Sequence, residues 1–248
     1  MSSEEAKPLN LAHRGASVVA PPNTLAAFKK AVELGADGVE FDVQLSADGV
    51  PVVVHDFTVD ATTDGSGRVA DLTLAQLQEL DAGSAFDPAF TGERIPTLEQ
   101  VLETMGHRLF LNIELKTLSL RSDGLEQAVV AQIERHGQNA NVLFSSFNLL
   151  SLRRVKRVAP QLPVGLLYTS NLPRPLQRAW LACLSHAEAH HPEHTMVDAR
   201  LVAWVRRRGY RLNTWTVDDP AEMRRLIDLD VDGIITNVPD VLREVLQA

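Results

Sequence analysis

Short apolar runs alternate with amphipathic stretches along almost the whole chain. The apolar runs have the length and continuity of strands buried on both faces, and the stretches between them repeat apolar residues at helical spacing. Such alternation indicates a parallel sheet covered by helices. The predicted barrel strands are Leu9–His13, Gly38–Asp42, Leu109–Leu115, Val142–Ser146, Val164–Tyr168, Ala187–His190, Arg211–Thr216 and Gly233–Thr236.

Start and stop signals place helices between these strands. Asn23-Thr24 caps the first helix and Gly35 ends it, and Thr97 with Gln100 forms a capping box before another helix. Asn148 caps a helix that must end before a proline. The remaining helices are predicted over Asp123–His136, Arg174–Leu184, Asp198–Arg208, Asp219–Leu229 and Pro239–Leu246.

Eight such units in 248 residues match the size of a closed (β/α)8 barrel, or TIM barrel. An open dinucleotide-binding sheet is the rival fold, but it requires a Gly-x-Gly-x-x-Gly turn after a strand, and the sequence has none. We therefore expect an α/β fold, with a single catalytic TIM-barrel domain over residues 1–248. Residues 57–96, with a short helix over Thr73–Leu80, are expected to form an insertion over the C-terminal mouth of the barrel.

A protruding hairpin is predicted over Val43–Val54. Ser46–Gly49 has the composition of a four-residue turn with glycine at its last position. Pairing outward from this turn would bring His55 beside the end of the second barrel strand. The expected pairs are Leu45 with Val50, Val43 with Val52 and Glu40 with His55.

Composition narrows the class of protein. A net charge of −8 and a pI near 5.5 disfavour general nucleic-acid binding, so an anionic ligand would need a local positive site. The single cysteine, Cys183, excludes an internal disulfide and fits a reducing compartment. The N-terminus lacks the apolar segment of a secretory signal, and no apolar run approaches the roughly 20 residues of a membrane span. We expect a cytoplasmic chain without stable membrane insertion.

Polar residues cluster where the predicted strands end. In a (β/α)8 barrel the working residues occupy the C-terminal ends of the strands, and side-chain alternation places every second residue inward. Inward-facing polar groups are costly unless they bind a ligand or each other. The residues concerned are His13 and Arg14, Glu40 and Asp42, His55, Asn112, Glu114 and Lys116, and Asn213 with Trp215.

Structural explanations compete with each of these readings. Glu114 and Lys116 could form an internal ion pair, and Trp215 could simply pack at the rim. The tract His190–His194 resembles a metal site, but its proline breaks helical ligand spacing. A serine hydrolase would require a Gly-x-Ser-x-Gly elbow, which the sequence lacks. The combination of two histidines, three carboxylates, an arginine and a lysine at consecutive strand ends favours a catalytic site.

Carboxylate ligands without cysteine select a hard divalent cation, Mg²⁺ or Ca²⁺, over zinc. Such a cation beside Arg14 and Lys116 would form a pocket for an anionic phosphate. Two histidines flanking the phosphate could deprotonate a nucleophile and protonate a leaving alkoxide. A phosphodiesterase therefore fits these residues better than a kinase or an aldolase does.

The ordered motifs resemble the glycerophosphodiester phosphodiesterase family, of the bacterial cytosolic type, over roughly Leu9 to Val245. The resemblance rests on several motifs in one frame and covers most of the chain. These motifs are Ala12-His-Arg-Gly15, Asn23-Thr24, Gly35-Ala-Asp-Gly-Val-Glu-Phe-Asp-Val43, Asp48-Gly-Val-Pro-Val-Val-Val-His-Asp56, Asn112-Ile-Glu-Leu-Lys116, Ser145-Ser-Phe147, Asn213-Thr-Trp-Thr-Val217 and Asp232-Gly-Ile-Ile-Thr236.

The resemblance implies a role for each matching residue. It implies one divalent cation held by Glu40, Asp42 and Glu114. It also implies His13 and His55 as the acid/base pair, Arg14 and Lys116 on the phosphate, and Trp215 on the glycerol side. The reaction would split a glycerophosphodiester into sn-glycerol 3-phosphate and an alcohol. Two positions depart from the family pattern: Pro22 stands where the family usually has Glu, and Asn237 where it often has Asp.

Two other functions compete with this one. The first is a phospholipase C/D-like phosphodiesterase acting on lipid head groups, which requires an apolar rim; the insertion offers Phe86 and Phe90 for that purpose. The second is a non-catalytic barrel that binds phosphate esters, which would have no need of a general acid. The expected partner is a small-molecule substrate and not a nucleic acid, and the sequence leaves a homodimer open.

Overall fold

The structure, a computed structural model, describes residues 7–172 and 184–248. The helix predicted over Arg174–Leu184 therefore lies outside the described residues, apart from Leu184. The strands are β1 Leu9–His13, β2 Gly38–Leu45, β3 Pro51–Val53, β4 Phe110–Leu115, β5 Val142–Ser146, β6 Val164–Tyr168, β7 Ala189–Pro192, β8 Arg211–Thr214 and β9 Gly233–Thr236. The described α-helices are α1 Leu25–Glu33, α2 Leu74–Glu79, α3 Leu98–Met105, α4 Leu125–Arg135, α5 Leu149–Val158, α6 Ala199–Arg206, α7 Pro220–Asp228 and α8 Pro239–Gln247.

Eight parallel strands close into a barrel. The order around it is β1, β9, β8, β7, β6, β5, β4 and β2, and β1 pairs with β2 to complete the ring. The (β/α)8 fold predicted from the alternation is thereby confirmed. Helices cover the outside, and one large apolar cluster fills the space between them and the strands. A second apolar cluster lies under α6, α7 and α8.

The capping signals locate the helix starts correctly. The Thr24 side chain accepts from an α1 backbone N–H, and Thr97 forms a reciprocal capping box with Gln100 at the start of α3. Asn148 caps α5 through the backbone N–H of Leu150. Within the described residues, no helix has the length and apolar character needed to cross a membrane.

One strand lies two residues later than expected. The prediction was Ala187–His190, whereas β7 spans Ala189–Pro192 and its Ala189 pairs with Gly165 of β6. Pro192 can be the last residue of the strand, because the next hydrogen bond between β7 and β6 is donated by the N–H of Glu193 to the carbonyl of Tyr168. Proline is tolerated at this position since no donor is required from it.

The predicted hairpin is present, but its register was wrong by one residue. The observed pairs are Val43 with Val53, Gln44 with Val52 and Leu45 with Pro51. The turn contains an additional residue because the Ser46 hydroxyl accepts from the Val50 N–H and donates to Asp48. The pairing stops at Val53, so His55 is not opposite Glu40 and instead follows the strand in a loop.

Residues 57–96 fold against the hairpin. They contain α2, whose Thr73 capping box matches the predicted short helix, and two single-turn 3-10 helices. Their apolar side chains form a third small cluster with Val52 and Val54. This arrangement places the segment beside the loop that carries His55, at the C-terminal mouth.

Candidate active site

Three carboxylates meet at the mouth of the barrel because β2 and β4 are adjacent and in register. Glu40 lies opposite Asn112, and Asp42 lies opposite Glu114. One ligand oxygen from each of Glu40, Asp42 and Glu114 lies within 4.8 Å of the others, and all three residues are buried. Among residues 7–172 and 184–248, this is the single group of three or more such side chains with that spacing.

The buried acids repel one another. Burial and the charges of Asp42 and Glu114 raise the pKa of Glu40 well above its usual range. Burial and the Asp42 charge raise the pKa of Glu114 to about 7. Burial also pushes the pKa of Asp42 upward, but Lys116 and Arg14 outweigh it, and the net shift is downward. Full ionisation of the three carboxyl groups is thus unfavourable in the protein alone, and a cation among them would favour it.

The donor set fits a hard divalent cation. The Oε2 atom of Glu40 is buried and has no hydrogen-bond partner among the described residues. A buried carboxylate oxygen without a donor is costly, and a cation would satisfy it. All three groups are carboxylates, which suit Mg²⁺ or Ca²⁺.

Two basic side chains flank the carboxylates. Lys116 Nζ lies 3.2 Å from Glu114 and 3.6 Å from Asp42, and Arg14 Nε lies 3.5 Å from Asp42. Both side chains are partly exposed, so they can also meet an anion arriving from the mouth. The structure therefore brings together the predicted carboxylates and both predicted basic residues.

The loop after β1 holds Arg14 in a left-handed conformation. Arg14 and Asn23 have φ values of 56° and 61°, and the Asn23 N–H donates to the Arg14 carbonyl at 2.9 Å. The Asn23 amide also donates to Asp42 at 3.0 Å. Asn23 thus joins this loop to the carboxylate cluster, while neighbouring Pro22, at the position that departs from the family pattern, lines the mouth.

His13 is oriented by a chain of hydrogen bonds. Asn237 donates its amide to Asp218 at 2.7 Å, which leaves its Oδ1 facing His13 Nδ1 at 2.7 Å. Because Oδ1 only accepts, His13 carries its proton on Nδ1, and Nε2 is directed to Glu40 at 3.9 Å. Burial and the Arg14 charge lower the pKa of His13 to about 4, so the neutral imidazole is favoured.

His55 reaches the same site from the loop after β3. Its Nδ1 lies 2.7 Å from Asp56 Oδ1, so the proton on Nδ1 is donated to the carboxylate. The side-chain amide of Gln44 donates to the carbonyls of Val54, His55 and Asp56, which holds the loop in place. His55 lies near enough to both His13 and Asp42 to act on them electrostatically.

Trp215 lies across the mouth from the hairpin. Its indole N–H donates to the His191 carbonyl at 2.8 Å, and its ring meets the edge of Phe147 at 5.6 Å. Asn213, also predicted to face inward, donates to His191 Nε2 at 3.0 Å. The three histidines of the metal-like tract diverge. His190 packs among aromatic rings outside the barrel, His191 is bonded to Asn213, and His194 pairs with Glu222 at 2.8 Å. They do not form a metal site.

Three positioning residues were not predicted from sequence. Gln44 shares the alternation of Glu40 and Asp42, so its inward direction was available from the strand period. Asp56 directly follows a histidine, which is a weak signal for an orienting carboxylate. No local pattern links Asn237 to His13, because 224 residues separate them.

The fold and the site together define a class of protein, a (β/α)8-barrel enzyme that hydrolyses phosphoric diesters. Comparison with known proteins agrees. The model of the glycerophosphoryl diester phosphodiesterase family matches residues 13–241. A glycerophosphodiester phosphodiesterase of Caldanaerobacter subterraneus subsp. tengcongensis is 46% identical over 237 residues, covering 95% of this chain and 96% of the relative.

Another relative and a solved structure extend the likeness. A Bacillus subtilis glycerophosphodiester phosphodiesterase is 34% identical, covering 96% of this chain and 86% of its own. An Oleispira antarctica phosphodiesterase, solved in complex with the product sn-glycerol-3-phosphate, has a TM-score of 0.87 at 32% identity over 98% of each chain. This chain belongs to the glycerophosphoryl diester phosphodiesterase family.

Proposed function

We propose that this chain hydrolyses glycerophosphodiesters to sn-glycerol 3-phosphate and an alcohol, with one divalent cation and two histidines at the mouth of a single catalytic domain. The observation that carries the proposal is the spacing of Glu40, Asp42 and Glu114 within 4.8 Å, beside His13. A site that only bound phosphate esters would have no need of two oriented imidazoles. The product of the Oleispira antarctica relative is the one proposed for this chain.

Glu40, Asp42 and Glu114 would hold Mg²⁺ or Ca²⁺, and the bound cation would withdraw charge from the phosphate. Arg14 and Lys116 remain on the outer side of the cluster, where their charges would bind the phosphate oxygens. Trp215 would line the glycerol side. The site would thus hold the diester by its phosphate, with its two ester arms directed along opposite sides of the mouth.

The imidazoles have complementary hydrogen bonds. Each histidine donates from Nδ1 to a fixed acceptor, Asn237 for His13 and Asp56 for His55, so each presents Nε2 to the site. One unprotonated Nε2 would accept the proton of the nucleophile. The other imidazole, protonated on both nitrogens at the start of the reaction, would give its Nε2 proton to the departing alkoxide. Both are required whether water or the glycerol 2-hydroxyl attacks the phosphorus.

Chelation tests the cation. Hydrolysis of sn-glycero-3-phosphocholine, followed by coupled detection of glycerol 3-phosphate, should be lost in EDTA and restored by Mg²⁺ or Ca²⁺. Undiminished turnover after exhaustive chelation would contradict the proposed cofactor.

Alanine substitution tests the imidazoles. His13→Ala and His55→Ala should each reduce kcat by a factor on the order of 10²–10⁴, with cation binding by calorimetry little changed. His107→Ala is the matched control, since His107 is an exposed histidine beyond α3. Near-normal kcat in either site variant would disprove the acid/base assignment.

One observation favours the alternative of a lipid head-group substrate. Leu118 and Leu120 are 80% and 79% exposed in the loop after β4, and Phe147 and Leu150 are also exposed after β5. Asn148 ties the two loops by donating to the carbonyls of Thr117 and Ser119. This apolar rim is of the kind an interfacial enzyme requires. Co-sedimentation with liposomes, compared between the wild type and Leu118→Ser/Leu120→Ser, would reveal such binding.

The cytoplasm remains the proposed location, because a single cysteine fits a reducing compartment. A homodimer remains a prediction, and analytical ultracentrifugation would test it.

A further inference from the structure

A pocket of about 250 Å³ adjoins the site on the hairpin side. Its lining includes Arg14, Asn23 and His55 of the proposed catalytic machinery. Other lining residues have no role in that machinery. They include Pro21 and Pro22 of the loop after β1, and Ala61, Ala82, Ala85 and Phe86 of segment 57–96.

The position of this pocket identifies the part of a substrate that would enter it. Trp215, on the proposed glycerol side, follows β8, which is separated from β2 by β9 and β1 in the barrel order. The pocket is lined by His55 and by Val53, the hairpin residue that pairs with β2. A phosphate between Arg14 and Lys116 would therefore direct one ester arm toward Trp215 and the other into the pocket.

The pocket walls are mostly apolar. Proline and alanine side chains offer no hydrogen bonds to a polyol, and Phe86 keeps 41% of its surface exposed while its ring contacts Phe90 at 5.8 Å. An exposed aromatic ring can bind a quaternary ammonium through its face. A hydrated sugar-like alcohol would recover only part of its lost hydrogen bonds, since most of the lining is apolar and the hydroxyl groups are those of Thr24 and Thr62.

The charge of segment 57–96 favours a positively charged ligand. Segment 57–96 contains seven acidic and two basic residues, a net charge of −5 within a chain whose total is −8. None of these nine residues lines the pocket, where the charged side chains are Arg14 and Asp56. A bound phosphate would neutralise Arg14, which leaves Asp56 and the more distant acids of the segment to favour a cationic group over an anionic one.

We propose that this pocket binds the leaving alcohol of the diester and selects compact cationic alcohols of the choline type, with Phe86 and Ala85 as specificity-determining residues. The inference rests on the proposed function, since it assumes that the phosphate lies between Arg14 and Lys116. It adds a selectivity for the alcohol that the catalytic residues alone do not explain.

The test compares three sn-glycero-3-phosphodiesters whose alcohols are choline, its neutral isostere 3,3-dimethylbutanol, and methanol. Variants Phe86→Ala and Ala85→Leu are measured beside the wild type. Ala89→Leu is the matched control, because Ala89 is exposed in the same segment and does not line the pocket. Ratios of kcat/KM between variants cancel the intrinsic reactivity of each leaving group.

We expect the wild type to favour the choline ester over the neutral isostere, and Phe86→Ala to reduce that ratio of kcat/KM values, because the change in the ratio is free of leaving-group reactivity. Phe86→Ala should lower kcat/KM for the choline ester about 2- to 30-fold, the range of a cation–π contact. Ala85→Leu should lower it at least about tenfold by filling the pocket. The methyl ester should change less than about twofold in both variants, and Ala89→Leu should leave all three substrates unchanged.

Two results would overturn the inference, and they are distinguishable from a failure of the proposed function. If the wild type hydrolyses the esters but both variants change all three substrates by the same factor, the pocket does not bind the alcohol. Equal rates for the choline ester and its neutral isostere in the wild type would refute the cationic preference. If the wild type hydrolyses none of the esters, the proposed function itself is wrong.

Discussion

Gly15 offers a sharp test of how the loop after β1 is held against α1. Its φ of +83° lies in the left-handed region, and a Cβ at this position would lie 2.7 Å from the backbone carbon of Ala27. Backbone atoms of a helix cannot rotate away as a flexible side chain can. Gly15→Ala should therefore force the loop and the helix apart, and with them Arg14 and His13.

The cost has two separable parts. The left-handed conformation costs a non-glycine residue roughly 1–2 kcal/mol. The collision with Ala27 adds an overpacking cost of about 1–3 kcal/mol. Gly49 is a natural reference, because its φ is +79° but an added Cβ would have nothing within 4 Å. Gly49→Ala should therefore lower the free energy of unfolding only by the cost of the left-handed conformation. Gly15→Ala should lower it by both contributions together, about 2–5 kcal/mol.

Urea titrations of the wild type and both variants, run side by side, measure the free energies of unfolding. Gly15→Ala should be less stable than Gly49→Ala by about 1–3 kcal/mol, and it should also lose at least about tenfold in kcat/KM through displacement of Arg14. Gly49→Ala should retain activity, since the turn lies outside the site. Equal stability of the two variants would refute the close contact between the loop and α1.

Three further predictions follow from the same structure. Gln44→Ala removes the donor to three loop carbonyls, so it should cost about 1–3 kcal/mol and lower kcat more than it raises KM, whereas exposed Gln247→Ala should do neither. A saturating divalent cation at 100 times its Kd should stabilise the wild type by about 2.7 kcal/mol in thermal unfolding; an equal gain in Glu114→Gln would exclude the proposed ligands. Burial lowers the pKa of His190 to about 4 from 6.5. As the pH falls, His190 is protonated in the unfolded chain before it is protonated in the folded chain. The free energy of unfolding therefore decreases by up to about 3 kcal/mol between pH 6.5 and pH 4. His190→Phe should flatten that part of the pH profile in urea titrations, and an unchanged slope would assign it to other groups.

The barrel and its inner carboxylates were predictable because both follow from local periodicities. Strand alternation with period two fixes that Glu40 and Asp42 share a face, and the βα repeat fixes that their strand lies beside that of Glu114. Because these residues end their strands and face inward, they must lie at the mouth of the parallel barrel. The prediction needed no knowledge of which residues lie opposite each other.

The hairpin register was wrong because a side chain changes the number of residues in the turn. The Ser46 hydroxyl bonds across the turn and enlarges it by one residue, which shifts the hairpin register. A one-residue shift turns every side chain to the other face, but Val50-Pro-Val-Val-Val54 is apolar on both faces, so alternation does not distinguish the two registers here. The exposed Leu118 and Leu120 were also missed, since exposure of a loop depends on what packs above it.

The two histidines show why a wrong register still brought the predicted residues to one site. His13 ends a barrel strand, so the sheet itself fixes its position, and Asn237 only selects its orientation. His55 follows a short strand, and its position depends on how Gln44 holds the carbonyls of the loop. Gln44 belongs to the same inward face as Glu40 and Asp42 and therefore points to the mouth. The loop is thus anchored to the strand that carries the carboxylates, and His55 reaches them without pairing directly with Glu40.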